Sequence, residues 1–409
     1  LDFREEIETG ASAHTLLPAG IKEHHMNLQN LVTSRPRLIL PRVLAALSFI
    51  VFCGTLMADT ISVNPQNVAS AIAGSHPGDT LNFAPGTYNL QPRANRPALK
   101  CPGNRTYVGN GAVIALSGGP AANEQSQLVS FGTNSEVSGF TFTDAQVEFG
   151  NGSFNVHDNN FMNMPNTMAV FVSNDSNSHF DHNQFQNIGA EGIYGYPGNG
   201  NTYDNNAFDQ VFEPIHLVGV CDTNDVSGNV ITHATRFGIE LQEGMTHLTV
   251  ENNWMSDWLA NGNPSGHIAI SCATGGSGTY PYAGQGENIT ISGNVLIADA
   301  DPYYNPWAAC AVEIAGSVNI NVTNNYSWNF GFLLFNGATG EGVNSSNNTV
   351  IGGSLTEQDG APWPEPAPHG SGNELFGLGA SNAPAPPAYP GNATGAPLIS
   401  GVAATLVTP

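Results

Sequence analysis

The chain has 409 residues, with 10 Lys and Arg against 33 Asp and Glu, a formal net charge of −23, and only 11% charged residues. After Arg105 the sequence offers a single cation, Arg236, so it cannot displace phosphate counterions, which excludes nucleic acid and anionic lipid as electrostatic partners. At 40% hydrophobic residues the chain also falls outside compositional disorder and can bury a sizeable core.

Residues 1–25 precede the first methionine, Met26, and show no sustained apolar period, so they read as an upstream, non-structural segment. Residues 26–58 read as a signal peptide. Arg35, Arg37 and Arg42 form its basic region, and Val43–Ala58 is an uncharged run of 16 residues, shorter than the roughly 20 a spanning helix needs. The expected location is therefore secreted, periplasmic or cell-surface, with no membrane contact after cleavage. Residues 59–409 keep the whole charge of −23, as 28 acidic against 5 basic residues. They hold four cysteines, Cys101, Cys221, Cys272 and Cys310, whose wide spacing lacks a zinc pattern and is compatible with disulfides or isolated buried thiols.

From residue 59 to 355 the sequence repeats. Asn160, Asn183, Asn206, Asn229, Asn253, Asn294, Asn325 and Asn348 recur at spacings of 23, 23, 23, 24, 41, 31 and 23. A second element keeps the same period: AVFVS at 169–173, GIYGY at 192–196, PIHLV at 214–218, GIELQ at 238–242, HIAIS at 267–271 and AVEIA at 311–315. Each reads as a short strand with alternating apolar positions, unable to bury its apolar face except by stacking on its neighbours. No stretch carries the 3.6-residue pattern of a helical solenoid, so the expected fold is an all-β, single-domain parallel β-solenoid with coils of about 23 residues. Stacked Asn side chains would hydrogen-bond from rung to rung.

The Asn ladder, with the entry segment Val68–Tyr88 (VASAIAGSHPGDTLNFAPGTY), resembles the right-handed parallel β-helix, or pectate lyase-like, superfamily over residues 59–355. The resemblance implies a right-handed helix and a short N-terminal capping helix. The paired-Asp and Arg-x-Lys motifs of polygalacturonases are absent from the sequence. Residues 356–409, rich in Pro, Gly and Ala, read as a C-terminal tail.

Excess length over the period falls in Trp254–Gly266, Cys272–Gly286 and Ala298–Cys310, three insertions bordering the same rungs. They carry Trp254, Trp258, Tyr280, Tyr282, Tyr303, Tyr304 and Trp307, whose flat faces on solvent-facing loops suit stacking on sugar rings. Strand alternation places Tyr194, His216, Glu240, Ala269 and Glu313 in one outward column, with Gln242 beside Glu240 and His267 at the edge of a loop. Glu240 and Glu313, two rungs apart, would have backbones about 9.6 Å apart, near the separation of about 6.5–9.5 Å between the carboxyl groups of an inverting glycosidase.

These residues point to a carbohydrate-active enzyme, a glycoside hydrolase in which Glu240 and Glu313 form the acid/base pair and His216 and Arg236 position substrate. Tyr194, Gln242, Trp254, Trp258, His267, Tyr282, Tyr303, Tyr304 and Trp307 would line the subsites. The expected partner is a neutral or weakly charged polysaccharide, bound by a monomer, and hydrolysis requires no cofactor. The alternative implied by the resemblance is a pectate-type lyase in which Ca2+ offsets substrate charge and Arg236 abstracts a proton. Glu243, Asp257, Asp299 and Asp301 are the candidate calcium ligands. The third reading is a non-catalytic surface β-helix that binds glycan.

Overall fold

Short β-branched and aromatic strands punctuated by Asn and Gly wind into a solenoid. The structure, a computed structural model, describes residues 57–94, 96–122, 127–256, 267–273, 286–298, 309–315, 317, 319–329, 331–334, 343–352, 355–356, 371–376 and 380–387. The expected upstream segment and almost all of the expected signal peptide lie outside these residues. Among them are 31 strands and one helix, and every strand pairing is parallel.

The strands stack in three faces. The first runs from Thr60–Val63 to Val343–Ser346, the second from Gly86–Leu90 to Glu374–Phe376, and the third from Leu99–Cys101 to Leu355–Thr356. The expected capping helix is Val68–Gly74, and it buries Ile72. The tyrosine of the PGTY segment, Tyr88, is buried and donates its hydroxyl to the carbonyls of Val63 and Ala84, both at 3.0 Å, tying the first coil together.

The core consists of like residues stacked in register. Val147, Val170, Ile193, Ile215, Ile239, Ile270 and Val312 form one inward column of the third face. Phe142, Phe161, Phe185 and Phe208 form another on the second face, with ring centroids 5.3, 4.8 and 4.6 Å apart. β-branched and aromatic side chains favour such pleated, buried surfaces because they pack against their counterparts one rung away. All four cysteines of residues 59–409 are separate buried thiols.

The Asn ladder turns the corner between the first and second faces. Each amide donates to the next Asn carbonyl at 2.9–3.2 Å, from Asn159 through Asn183, Asn206, Asn229, Asn253, Asn294, Asn325 and Asn348 to Asn373. The first member is Asn159, fully buried, rather than Asn160, which begins the strand Asn160–Met164. The residue before each ladder Asn is left-handed, from Asp158 at φ 57° and His182 at 54° to Gly372 at 79°. Only Gly and short polar residues adopt that conformation readily, which explains the recurring doublets DN, HN, NN and GN. Asn373 carries the ladder into the expected tail, where Glu374–Phe376 pairs with Thr349–Ile351. The β-helix therefore continues beyond residue 355.

One buried carboxyl belongs to no ladder. Asp175, 2% exposed at the corner of the third and first faces, accepts a bond from the Asn201 amide at 3.0 Å, and its Oδ2 has no hydrogen-bond partner. Burial pushes its pKa from 3.8 up to about 6, against the lowering influence of Ser178 and Asn201, while Tyr203 and Cys221 also face it. Between those two values the folded chain holds a proton that the unfolded chain releases. Its contribution is thus greatest in acid and declines as pH rises through about 6, by roughly 3 kcal/mol in all. Urea unfolding at about pH 4 and about pH 7.5 checks this. Asp175→Asn is expected to gain stability relative to wild type at the higher pH, and an identical difference at both would refute the account.

Candidate active site on the third face

Five strands of the third face carry the predicted site: Gln184–Asn199, Ala207–Val218, Phe237–Gln242, His267–Ala273 and Ala309–Ala315. Their register aligns Tyr194, His216, Glu240, Ser271 and Glu313 in one column. The residue between the two glutamates is therefore Ser271 and not Ala269. The insertion before His267 displaces the register by two residues, which preserves the alternation and hides the slip. Ala269 is fully buried in the core cluster. In place of the expected gap stands a hydroxyl, which donates to Glu313 Oε2 at 2.9 Å.

The column is also less solvated than strand alternation implies. His216 is 8%, Glu240 2% and Ser271 1% exposed, whereas Glu313 and Tyr194 are half-buried. The Tyr194 ring meets the His216 imidazole edge-on, with centroids 5.1 Å apart. Burial pushes the Glu313 carboxyl upward, and the Ser271 hydrogen bond opposes it. Glu240 is likewise raised by burial, despite the imidazole beside it and the amide of Gln242, which donates to its Oε1.

Around His216 the structure gathers residues that the sequence reading passed over. Nδ1 lies 3.2 Å from Glu213 Oε2 and 3.7 Å from Glu191 Oε1, and Nε2 lies 3.6 Å from Glu240 Oε2. Burial alone would lower the imidazole pKa, but the three carboxylates outweigh it and raise it. Arg236 pairs with Glu213 Oε1, and its guanidinium carbon lies 4.4 Å from the centre of the Phe237 ring. Glu191, Glu213 and Arg236 follow one another at 22 and 23 residues. The repeat period itself was the signal that could have joined them.

Trp254 is buried, 8% exposed in the strand Trp254–Ser256, so it is no solvent-facing loop ring. Gln242 and Glu243 are half-buried, and Glu243 sits left-handed at φ 62° just after its strand. His267 opens its strand opposite Ala309, but its side chain lies outside the described residues. Trp258, Tyr280, Tyr282, Tyr303, Tyr304, Trp307, Asp257, Asp299 and Asp301 lie outside them altogether.

Among the described residues, one group of acids and histidine could hold a metal: Glu191, Glu213 and His216, whose ligand atoms lie within 4.8 Å of one another. It does not fit calcium. That ion takes six to eight oxygen ligands, whereas this group presents a ring nitrogen and a carboxylate already engaged by Arg236.

A family model described as "Right handed beta helix region" matches residues 127–269. No curated protein sequence matches the chain. Among solved structures, the Dettilon tailspike protein is 14% identical over 78% of this chain and 60% of its own, with a TM-score of 0.47. The catalytic unit of a GH87 alpha-1,3-glucanase from Streptomyces thermodiastaticus is 16% identical over 77% and 66%, at 0.49. An alginate lyase from Paenibacillus is 13% identical over 78% and 99%, at 0.35. The chain thus spans less than two thirds of the tailspike's length. The fold expected from the Asn ladder is the fold found.

Proposed function

We propose that this right-handed parallel β-helix is an exported carbohydrate-active enzyme, a glycoside hydrolase that cleaves a polysaccharide laid along its third face. The observation that carries the reading is the column His216, Glu240, Ser271, Glu313, in which a buried and a half-buried carboxyl group stand two rungs apart. Two spacings of about 4.8 Å separate their backbones, close to the carboxyl separation of about 6.5–9.5 Å in inverting glycosidases, with the Ser271 hydroxyl between them. The carboxyl group that keeps its proton protonates the leaving oxygen while the other activates water. A net charge of −23 disfavours a polyanionic substrate and leaves a neutral polysaccharide as the preferred one.

The lyase reading asks Arg236 to act as a base. The Arg236 guanidinium is instead tied to the buried Glu213 carboxylate, an ion-pair role that competes with presenting it to a substrate proton. Glu213 is 1% exposed, so Arg236→Ala would strand a buried charge and is expected to cost about 2 kcal/mol in urea unfolding, with partial rescue by Arg236→Lys. Full stability in the alanine variant would show that the pair is not holding the site.

The functional test is a polysaccharide panel read in parallel for new reducing ends and for the near-ultraviolet absorbance of an unsaturated product, with calcium and with EDTA. Reducing ends without that absorbance are expected. Absorbance lost in EDTA would replace the hydrolase by the lyase, and binding without any product would replace both by a glycan-binding protein.

A further inference from the structure

We propose that Glu191, Glu213 and His216 bind one first-row divalent transition cation, such as zinc or manganese. The site stands on these residues whether or not Glu240 and Glu313 cleave a glycosidic bond.

Geometry gives the first reason. Glu191 and Glu213 are in register on adjacent strands, and His216 follows Glu213 on the same strand, so all three project from a rigid sheet. Ligands about 2.1 Å from a common ion at angles of about 90–110° stand about 3.0–3.4 Å apart. The Nδ1 to Glu213 distance is 3.2 Å and the Nδ1 to Glu191 distance 3.7 Å, which needs only a slightly wider angle.

The second reason is an unmet polar group. His216 Nδ1 is buried and, close as it is to two carboxylates, makes no aligned hydrogen bond with either. A cation would accept its lone pair and one oxygen from each carboxylate. The surroundings also suit such a centre: Arg236 holds Glu213 Oε1, which keeps Oε2 turned toward His216. Binding releases to solvent the proton that the carboxylates favour on the imidazole; with the three carboxylates ionised and one guanidinium the cluster then stands at −2, which a dication cancels. The nitrogen ligand favours a transition cation such as zinc over calcium or magnesium, and the two carboxylates also suit manganese.

The test uses the whole protein, stripped with chelator and titrated calorimetrically with zinc chloride or manganese chloride alone, with the manganese paramagnetic signal as a second readout. One equivalent of either metal is expected to bind. Affinity is expected to fall tenfold or more in Glu191→Gln and in His216→Ala and to be unchanged in His247→Ala, whose exposed imidazole pairs with Asp222. Glu191 is half-buried, so its glutamine variant keeps the test meaningful if the histidine variant misfolds. Absence of saturable binding, equal affinity in Glu191→Gln, or calcium bound in preference to both metals would overturn the proposal. Cleavage measured separately on chelated protein leaves the hydrolase reading to stand or fall by itself.

Discussion

Glu240→Gln and Glu313→Gln are each expected to lower kcat for polysaccharide cleavage by about 10²–10⁴-fold with little change in KM, because each removes a proton-transfer group and leaves the surface intact. Neither substitution should unfold the chain. In Glu313→Gln the side-chain carbonyl would still accept the Ser271 hydroxyl, and Glu240→Gln removes a carboxylate that burial disfavours in its charged form. The double variant should be little worse than either single one, since an acid and a base that act in one step are lost together. Steady-state kinetics with thermal unfolding as the fold control decides the matter. Undiminished cleavage in either variant would remove that glutamate from the chemistry, and binding retained without any wild-type cleavage would make this face a glycan-binding surface.

The largest expected effect on stability is that of Asn206→Ala, in the middle of the corner ladder. Asn206 is fully buried, and its amide donates to Asn229 Oδ1 at 3.2 Å and to the Phe180 carbonyl at 2.8 Å. Its own Oδ1 accepts from the backbone N–H of Asn183 at 3.0 Å and from the Asn183 amide at 3.1 Å. Alanine therefore orphans a buried N–H and a buried carbonyl and breaks the ladder. At about 1–3 kcal/mol for each unsatisfied group, the expected loss is about 3–5 kcal/mol in urea unfolding. Asn206→Asp should also destabilise, because a carboxylate cannot donate to Phe180. A loss below about 1 kcal/mol for alanine would mean that water or a local shift replaces these bonds.

Most of the fold was legible because it repeats. The doublet before each corner, the valine and isoleucine columns and the PGTY entry each recur or obey a fixed local rule, so spacing alone brings them together. Errors arose where two candidates satisfied the same rule. At VHDNNF either asparagine could be the rung, and the left-handed Asp158 selects Asn159. A slip of two residues moved Ala269 into the place of Ser271, because alternation has period two and cannot detect it.

The site was legible in part. Tyr194, His216, Glu240 and Glu313 do share a column, whereas Glu191 and Glu213, the carboxylate that pairs with Arg236, were missed. Alternation describes the flat part of a strand. Glu213 lies near the bend where Ala207–Val218 passes from the second face to the third, and there the inward and outward rule gives way.

The sequence by itself determined the solenoid, its period and its Asn corner, since each depends on residues that meet their own counterparts one turn later. Only the tertiary structure decided which charges face one another. Side chains on neighbouring rungs, about 4.8 Å apart, can reach one another, and burial then selects their partners. The same stacking that makes the coils predictable thus enclosed His216 among Glu191, Glu213 and Glu240, a grouping set by three-dimensional proximity rather than by any single stretch of chain.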